Sequence, residues 1–299
     1  MNFYDQIASN NRRTFFLIFV FFILTLSLGL IIGVYWGSPT GGLILAIIFG
    51  ILYFLWSYYA GDSAILAMTG AKEAKKPEYT YLINTVEGLS IAAGLPQVPK
   101  VYVINDSALN AFATGRDPVH ASVTVTTGLL DKMNKVELEG VLAHEISHIK
   151  NFDIRVMLLA SVLVGLTVLL SDFLLRSFLW GGRGKDREGG GNATIVLIIV
   201  GLALAILAPL IGQITKLAIS RQREFLADAS GAQLTRYPPG LASALKKIKD
   251  DPDPLVDNAN RATAHLFIST PFRKTKSSWQ NLFSTHPDIN ERIKRLEEM

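Results

Sequence analysis

From Thr14 to Trp36 the chain reads TFFLIFVFFILTLSLGLIIGVYW, with no charged residue. That run exceeds the roughly 20 residues needed to cross a hydrocarbon core. A signal peptide is excluded by length, because its apolar core spans only about 7 to 15 residues and ends at a small-residue cleavage site. After the polar, glycine-rich turn Gly37 to Gly42, a second uncharged run from Leu43 to Ala60 ends in Trp56, Tyr58 and Tyr59, side chains that favour a membrane interface. The two runs predict a tight transmembrane hairpin. A third apolar block, Val156 to Trp180, is interrupted by Asp172 and Arg176, and a fourth, Ala193 to Ile214, carries no charge. At i, i+4 spacing Asp172 and Arg176 can pair on one helix face, and we read them as a helix end snorkelling into the interface rather than as an intramembrane proton site.

Between the second and third blocks the pattern changes. Residues 61 to 155 hold nine Lys/Arg, eleven Asp/Glu and three of the five His, which is the pattern of water-soluble protein. Val101 to Asn105 and Ser122 to Thr126 are β-branched or aromatic runs and predict strands. Asn134 followed by Glu137 is a capping-box signature. The apolar positions Leu138, Val141, Leu142 and Ile149 then predict an amphipathic helix from Lys135 to Ile149. The segment 181 to 192, GGRGKDREGGGN, is a flexible loop by composition. It is no phosphate-binding loop, since Lys185 is followed by Asp186. These transitions divide the chain into an N-terminal membrane hairpin (1 to 60), a first water-soluble segment (61 to 155), a second membrane hairpin (156 to 215) and a second water-soluble segment (216 to 299).

Composition narrows the chemistry. The chain is 49% hydrophobic and only 18% charged, below the roughly one quarter charged of ordinary soluble domains. It contains no Cys, so disulfides and Cys-ligated metal sites are excluded and any metal must be held by His and carboxylates. The net charge of +4 fits membrane topology better than nucleic-acid binding. Arg12 and Arg13 precede the first block while the turn at 37 to 42 has no basic residue, which predicts a cytoplasmic N-terminus. The hairpin then returns residues 61 to 155 to the same side. For the second hairpin, Lys150, Arg155, Lys216, Arg221 and Arg223 outnumber Arg183, Lys185 and Arg187 and predict the same orientation.

His144-Glu145-Ile146-Ser147-His148 is an H-E-x-x-H pattern, expected by chance roughly 0.003 times in a chain of this composition. On a helix, residues four apart stack one turn above each other, so both imidazoles can reach one Zn²⁺. Glu145 then projects beside the open coordination position, where it can take a proton from an attacking water. A catalytic zinc site needs a third protein ligand. The best candidate is Glu224 in SRQREFLADA (Ser220 to Ala229), a predicted helix on which Asp228 shares its face. Asp228 suits the role of accepting a hydrogen bond from a ligating His. The same residues also read as a surface salt-bridge face with Arg221 and Arg223.

HEISH, SRQREFLAD, NAFATG (Asn110 to Gly115) and THPD (Thr285 to Asp288) occur in an order and context that resemble the HtpX family of membrane-embedded zinc metalloproteases, relatives of the type I CAAX prenyl proteases. The resemblance covers nearly the whole chain, the loop 181 to 192 excepted. It implies one Zn²⁺ per chain held by His144, His148 and Glu224, with Glu145 as catalytic base and Asp228 behind the ligands. It also implies cleft roles for Asn110, holding substrate backbone, and for His286, contacting substrate or the developing oxyanion. Read by themselves, Asn110 is equally a turn residue and His286 a helix-initiating one. His120 and His265 have no motif around them.

These readings give an α+β, mainly helical fold: four transmembrane helices with a cytoplasm-facing, zincin-like metalloprotease domain that carries a small β-sheet. The implied function is a multi-pass zinc endopeptidase of the cell membrane acting on misfolded or damaged membrane proteins. Its partners would be protein and peptide substrates and the lipid bilayer, with no nucleic acid. The competing readings are a processing protease for prenylated C-termini, a non-catalytic metal-binding scaffold, and a transporter. An intact Glu145 argues against the scaffold, and the scarcity of ionisable residues in the apolar blocks argues against the transporter.

Overall fold

A computed structural model describes residues 3–35, 37–161, 163, 165, 221–251, 266–268 and 287–299. The fourth apolar block, most of the third, the loop 181 to 192, His265 and His286 lie outside the described residues. Two long helices open the chain, α1 (Phe3–Tyr35) and α2 (Pro39–Met68). Within α1 the stretch Asn10–Leu30, and α2 as a whole, are long and apolar enough to cross a membrane. Among the described residues, most of the large hydrophobic side chains that stay exposed are on these two helices, including Phe15, Phe19, Leu45 and Leu52. A contiguous apolar surface of that kind suits lipid rather than water.

The turn between the helices is shorter than the glycine-rich pattern predicts. Ser38 caps α2, accepting a hydrogen bond from Gly41 N at 3.3 Å, and Pro39 opens its first turn, where the missing N–H costs nothing. Gly42 therefore lies inside the helix, and its role is packing. A Cβ there would stand 2.2 Å from Gly29 O and 2.5 Å from Gly33 Cα, and one at Gly29 would meet Ala46 Cβ at 2.2 Å. Small residues on both helices let the backbones touch, the usual way membrane helices gain dispersion contact.

α2 continues past the apolar run to Met68, and its last turns bury Ile65 and Leu66. Ile65 packs with Ile104, Phe112, Met157 and Leu158. The sheet has the order β1-β2-β4-β3, with β1 (Lys72–Glu73), β2 (Lys100–Ile104), β3 (Ala111–Asp117) and β4 (His120–Thr126). β2 and β4 are parallel, while the β1–β2 and β3–β4 pairs are antiparallel. β2 and β4 are the β-branched runs that the sequence predicts. β3, AFATGRD, forms at the end of the sheet through pairing with β4. α3 (Thr80–Ala93) and the central helix α5 (Lys135–Lys150) share one hydrophobic core with the sheet and with the helices Arg221–Thr235, Pro238–Asp250 and Ile289–Glu297. A short α4 (Thr127–Lys132) links β4 to α5.

Beyond α5 the chain turns at residues 151–152 and is helical again over 153–161. This stretch places Val156, Leu159 and Ala160 against Leu17 and Phe21 of α1. The first hairpin and the end of α5 are thus packed into one structure.

Candidate metal centre

The predicted capping box is present in full. Glu137 N donates to Asn134 Oδ1 and Asn134 N to Glu137 Oε2, each at 2.9 Å. Glu137 also accepts from Ser243 Oγ at 2.7 Å and Lys247 Nζ at 2.6 Å, which ties the start of α5 to the Pro238–Asp250 helix. α5 is buried almost throughout, from Glu137 to Ile149. Its polar side chains are inside the protein because they form a site, and buried polar groups need partners.

His144 and His148, one turn apart, point Nε2 at Nε2 across 3.2 Å. Glu224 completes a triangle, with Oε2 3.8 Å from His144 Nε2 and Oε1 3.6 Å from His148 Nε2. All three residues are buried. Ligand atoms at Zn–N and Zn–O lengths of about 2.0–2.2 Å around a tetrahedral ion would stand about 3.3–3.6 Å apart, so the donor set and its spacing fit a metal. Electrostatics agree. Burial disfavours a charged His148, but Asp153 and Glu224 overcome it and push its pKa up to about 9. Burial lowers His144 to about 4, so near neutrality the two rings together carry at most one positive charge.

Glu224 reaches this position because Glu224, Asp228 and Gly231 share a face at i, i+4 and i+7. A Cβ on Gly231 would lie 3.0 Å from His144 N, so the glycine brings the second helix against the first. Ala227 is fully buried as well. Arg221 is exposed and Arg223 turns towards Asp153, so Glu224 and Asp228 are not a solvated salt-bridge face.

Each histidine is backed by a carboxylate, and each carboxylate by an arginine. His144 Nδ1 lies 2.9 Å from Asp228 Oδ1. Arg292 holds Asp228 from behind and sets its Nη1 3.7 Å from Glu224 Oε2 and its Nη2 3.4 Å from His144 Nε2. His148 Nδ1 lies 3.0 Å from Asp153 Oδ2. Asp153 Oδ1 accepts from Asn10 Nδ2 at 2.8 Å and from Arg223 Nη1 at 3.4 Å. Asp153, Arg292 and Asn10 are absent from the motif reading. The available signals are an Asp in the turn just after the H-E-x-x-H helix and an Arg six residues beyond His286.

Glu145 is buried beside the rings, next to Ala113 of β3. Burial, with Glu224 nearby, pushes its pKa up to about 7, against the pull of His148 and Arg292. A carboxylate titrating there can both accept and release a proton at neutral pH. Asn110 is buried directly before β3, its N–H donating to Thr126 Oγ1 at 3.1 Å and its carbonyl accepting from Thr126 N at 3.0 Å. His120 is paired with Asp117 at the exposed end of β4, through Nδ1 to Oδ1 at 2.9 Å, outside the cluster.

Comparison with known proteins agrees with this architecture. The sequence profile of peptidase family M48 matches residues 77–299. A protease HtpX homolog of Dictyoglomus thermophilum is 48% identical over 297 residues, covering 99% of this chain and 95% of that protein. One from Streptococcus thermophilus is 44% identical over 301 residues, covering 99% of each. Among solved structures, the crystal structure of S. mikatae Ste24p is similar with a TM-score of 0.53 at 22% identity. The match takes in 91% of this chain and 62% of that one, and it shows a shared fold.

Proposed function

The chain belongs to peptidase family M48, and from that premise we propose that this membrane metalloprotease holds one zinc ion per chain on His144, His148 and Glu224. On this reading it is an endopeptidase of misfolded or damaged membrane proteins, multi-pass in the cell membrane, with four spans and a catalytic domain facing the cytoplasm. The observation that carries the reading is the buried convergence of His144 Nε2, His148 Nε2 and the Glu224 carboxylate within 4.8 Å of one another, with Glu145 on the same helix.

Zinc held there would polarise the scissile carbonyl and acidify the attacking water. Glu145 takes the proton from that water and returns it to the leaving amine. Asp228 and Asp153 fix the two imidazole rings so that both Nε2 lone pairs face inward. Because β3 is the end strand of the sheet among the described residues, an extended substrate can add to its outer edge past Ala111 through main-chain hydrogen bonds, which demand little sequence specificity. At Ala111 that edge is already taken, its carbonyl accepting from Ile268 N at 2.9 Å. Asn110 at the start of β3 and His286 are assigned to the substrate cleft.

The test separates proton transfer from metal binding. Glu145→Gln should keep zinc stoichiometry and abolish cleavage of an unfolded protein substrate, whereas His148→Ala should lose both. Cleavage by Glu145→Gln at the parent rate would overturn the water-activation role. Reporter fusions after Gly61 and at Met299 test the orientation, and an extracytoplasmic signal at either would reverse it.

A further inference from the structure

Asn10 is the first residue of the apolar span Asn10–Leu30, yet it is only 2% exposed to solvent and faces the catalytic segment. Its amide nitrogen donates two hydrogen bonds of 2.8 Å, one to Asp153 Oδ1 and one to Asn151 O at the C-terminus of α5. Its amide oxygen accepts from Arg223 Nη1 at 3.4 Å, one residue before Glu224. Asn is a poor residue for a helix interior, and burying an amide costs free energy unless its donors are matched. Here both donors are matched, by the C-cap of α5 at Asn151 and by Asp153 at the start of the helix that follows.

Asp153 is fully buried, and its other oxygen, Oδ2, faces His148 Nδ1. A carboxylate held only through that oxygen would be free to turn about its Cβ–Cγ bond and release the ring. Asn10, at 2.8 Å, is the shorter of the two contacts that fix the remaining oxygen, the other being Arg223 Nη1 at 3.4 Å, and its second bond fixes Asn10 against the backbone of α5. We propose that Asn10 is a positioning residue of the metal centre, acting through Asp153 on the His148 ring, so that the first membrane helix helps to orient a metal ligand. This rests on the reading of His148 as a ligand. It follows that a shift of α1 relative to α5 is felt at the metal before it is felt by the substrate.

The experiment uses the full-length protein in detergent. Zinc affinity is measured by competition with a fluorescent chelator, ligand geometry by the visible absorption of the Co²⁺-loaded form, and folding by thermal melting of the metal-free form. Asp153→Asn should weaken zinc binding by about 10- to 100-fold. Asn10→Leu, which keeps bulk but loses both donors, should weaken it several-fold and change the Co²⁺ spectrum. In the Asp153→Asn background Asn10→Leu should cost no further affinity, because residues acting in series are not additive. If Asn10→Leu fails to fold, Asn10→Asp carries the same expectation, since it keeps the shape and the oxygen that faces Arg223. The proposal is overturned if the Asn10 variant lowers the melting temperature while zinc affinity and the Co²⁺ spectrum stay those of the parent, or if the two losses add. The ligand reading fails separately, if His148→Ala binds zinc as tightly as the parent.

Discussion

Arg292 grips Asp228 with a two-pronged hydrogen bond, Nη2 to Oδ1 at 2.7 Å and Nε to Oδ2 at 2.9 Å. Both residues are buried. Burial alone would raise the pKa of Asp228, but Arg292 and His144 hold it at about 2, so it remains an anion behind the His144 ring at any physiological pH. The guanidinium comes from the C-terminal helix Ile289–Glu297 and the carboxylate from the helix that carries Glu224. The C-terminal helix Ile289–Glu297 therefore helps to set the His144 ring, the first of the proposed metal ligands.

From this pair we expect Arg292→Lys to be non-conservative. A lysine keeps the charge but cannot supply the planar fork, so Asp228 is held at one oxygen and the His144 ring gains freedom. Zinc affinity and substrate cleavage should fall together by about 10- to 100-fold. Chelator competition on the purified variant checks this, and parent-like affinity would show that charge alone is what Arg292 contributes.

What the linear sequence showed depends on how local the cause is. The H-E-x-x-H helix was legible because helical spacing itself brings His144 and His148 together, and its start because Asn134 and Glu137 are three residues apart. β2 and β4 were legible from β-branched alternation. β3 was not, because Ala111, Ala113 and Gly115 have little strand propensity and the strand exists by pairing with β4 and packing on α5. Glu224 was a candidate through the helix face it shares with Asp228, and only the family resemblance set it above a salt-bridge face, since nothing local distinguishes a carboxylate aimed at two imidazoles from one paired with Arg223. Asp153, Arg292 and Asn10 act only where distant helices meet, and their roles needed the fold.

Glu137 links the cap of α5 to stability against acid. Burial would raise its pKa, but the hydrogen bonds from Lys247, Ser243 and Asn134 hold it below the ordinary 4.5. A depressed carboxylate stabilises the folded state above its unfolded pKa, and that contribution is lost as pH falls through the folded value. The parent should therefore lose stability on acidification below about pH 4.5. Glu137→Gln should be less stable than the parent at pH 7 by about 1–3 kcal/mol, with the gap closing as pH drops. Thermal melting of both proteins from pH 7 to pH 3 checks the sign, and a constant gap would remove Glu137 from the account.

The close approach of α1 and α2 gives the last prediction. A Cβ at Gly42 would overlap Gly29 O and Gly33 Cα, both backbone atoms that cannot rotate aside. Gly42→Leu must therefore push the two helices apart, and overpacking of this kind costs about 1–3 kcal/mol or more. Gly88, inside α3 with no atom within 4 Å of its would-be Cβ, is the control, and Gly88→Ala should be neutral or slightly stabilising because alanine loses less backbone entropy in a helix. In detergent, Gly42→Leu should melt below the parent and Gly88→Ala at or above it. The displacement should also reach the metal, since α1 carries Asn10 at the base of the same hairpin. Reduced zinc affinity in Gly42→Leu, with parent affinity in Gly88→Ala, is the expected pattern, and a Gly42→Leu protein that melts and binds zinc like the parent would show that the helices do not pack through these glycines.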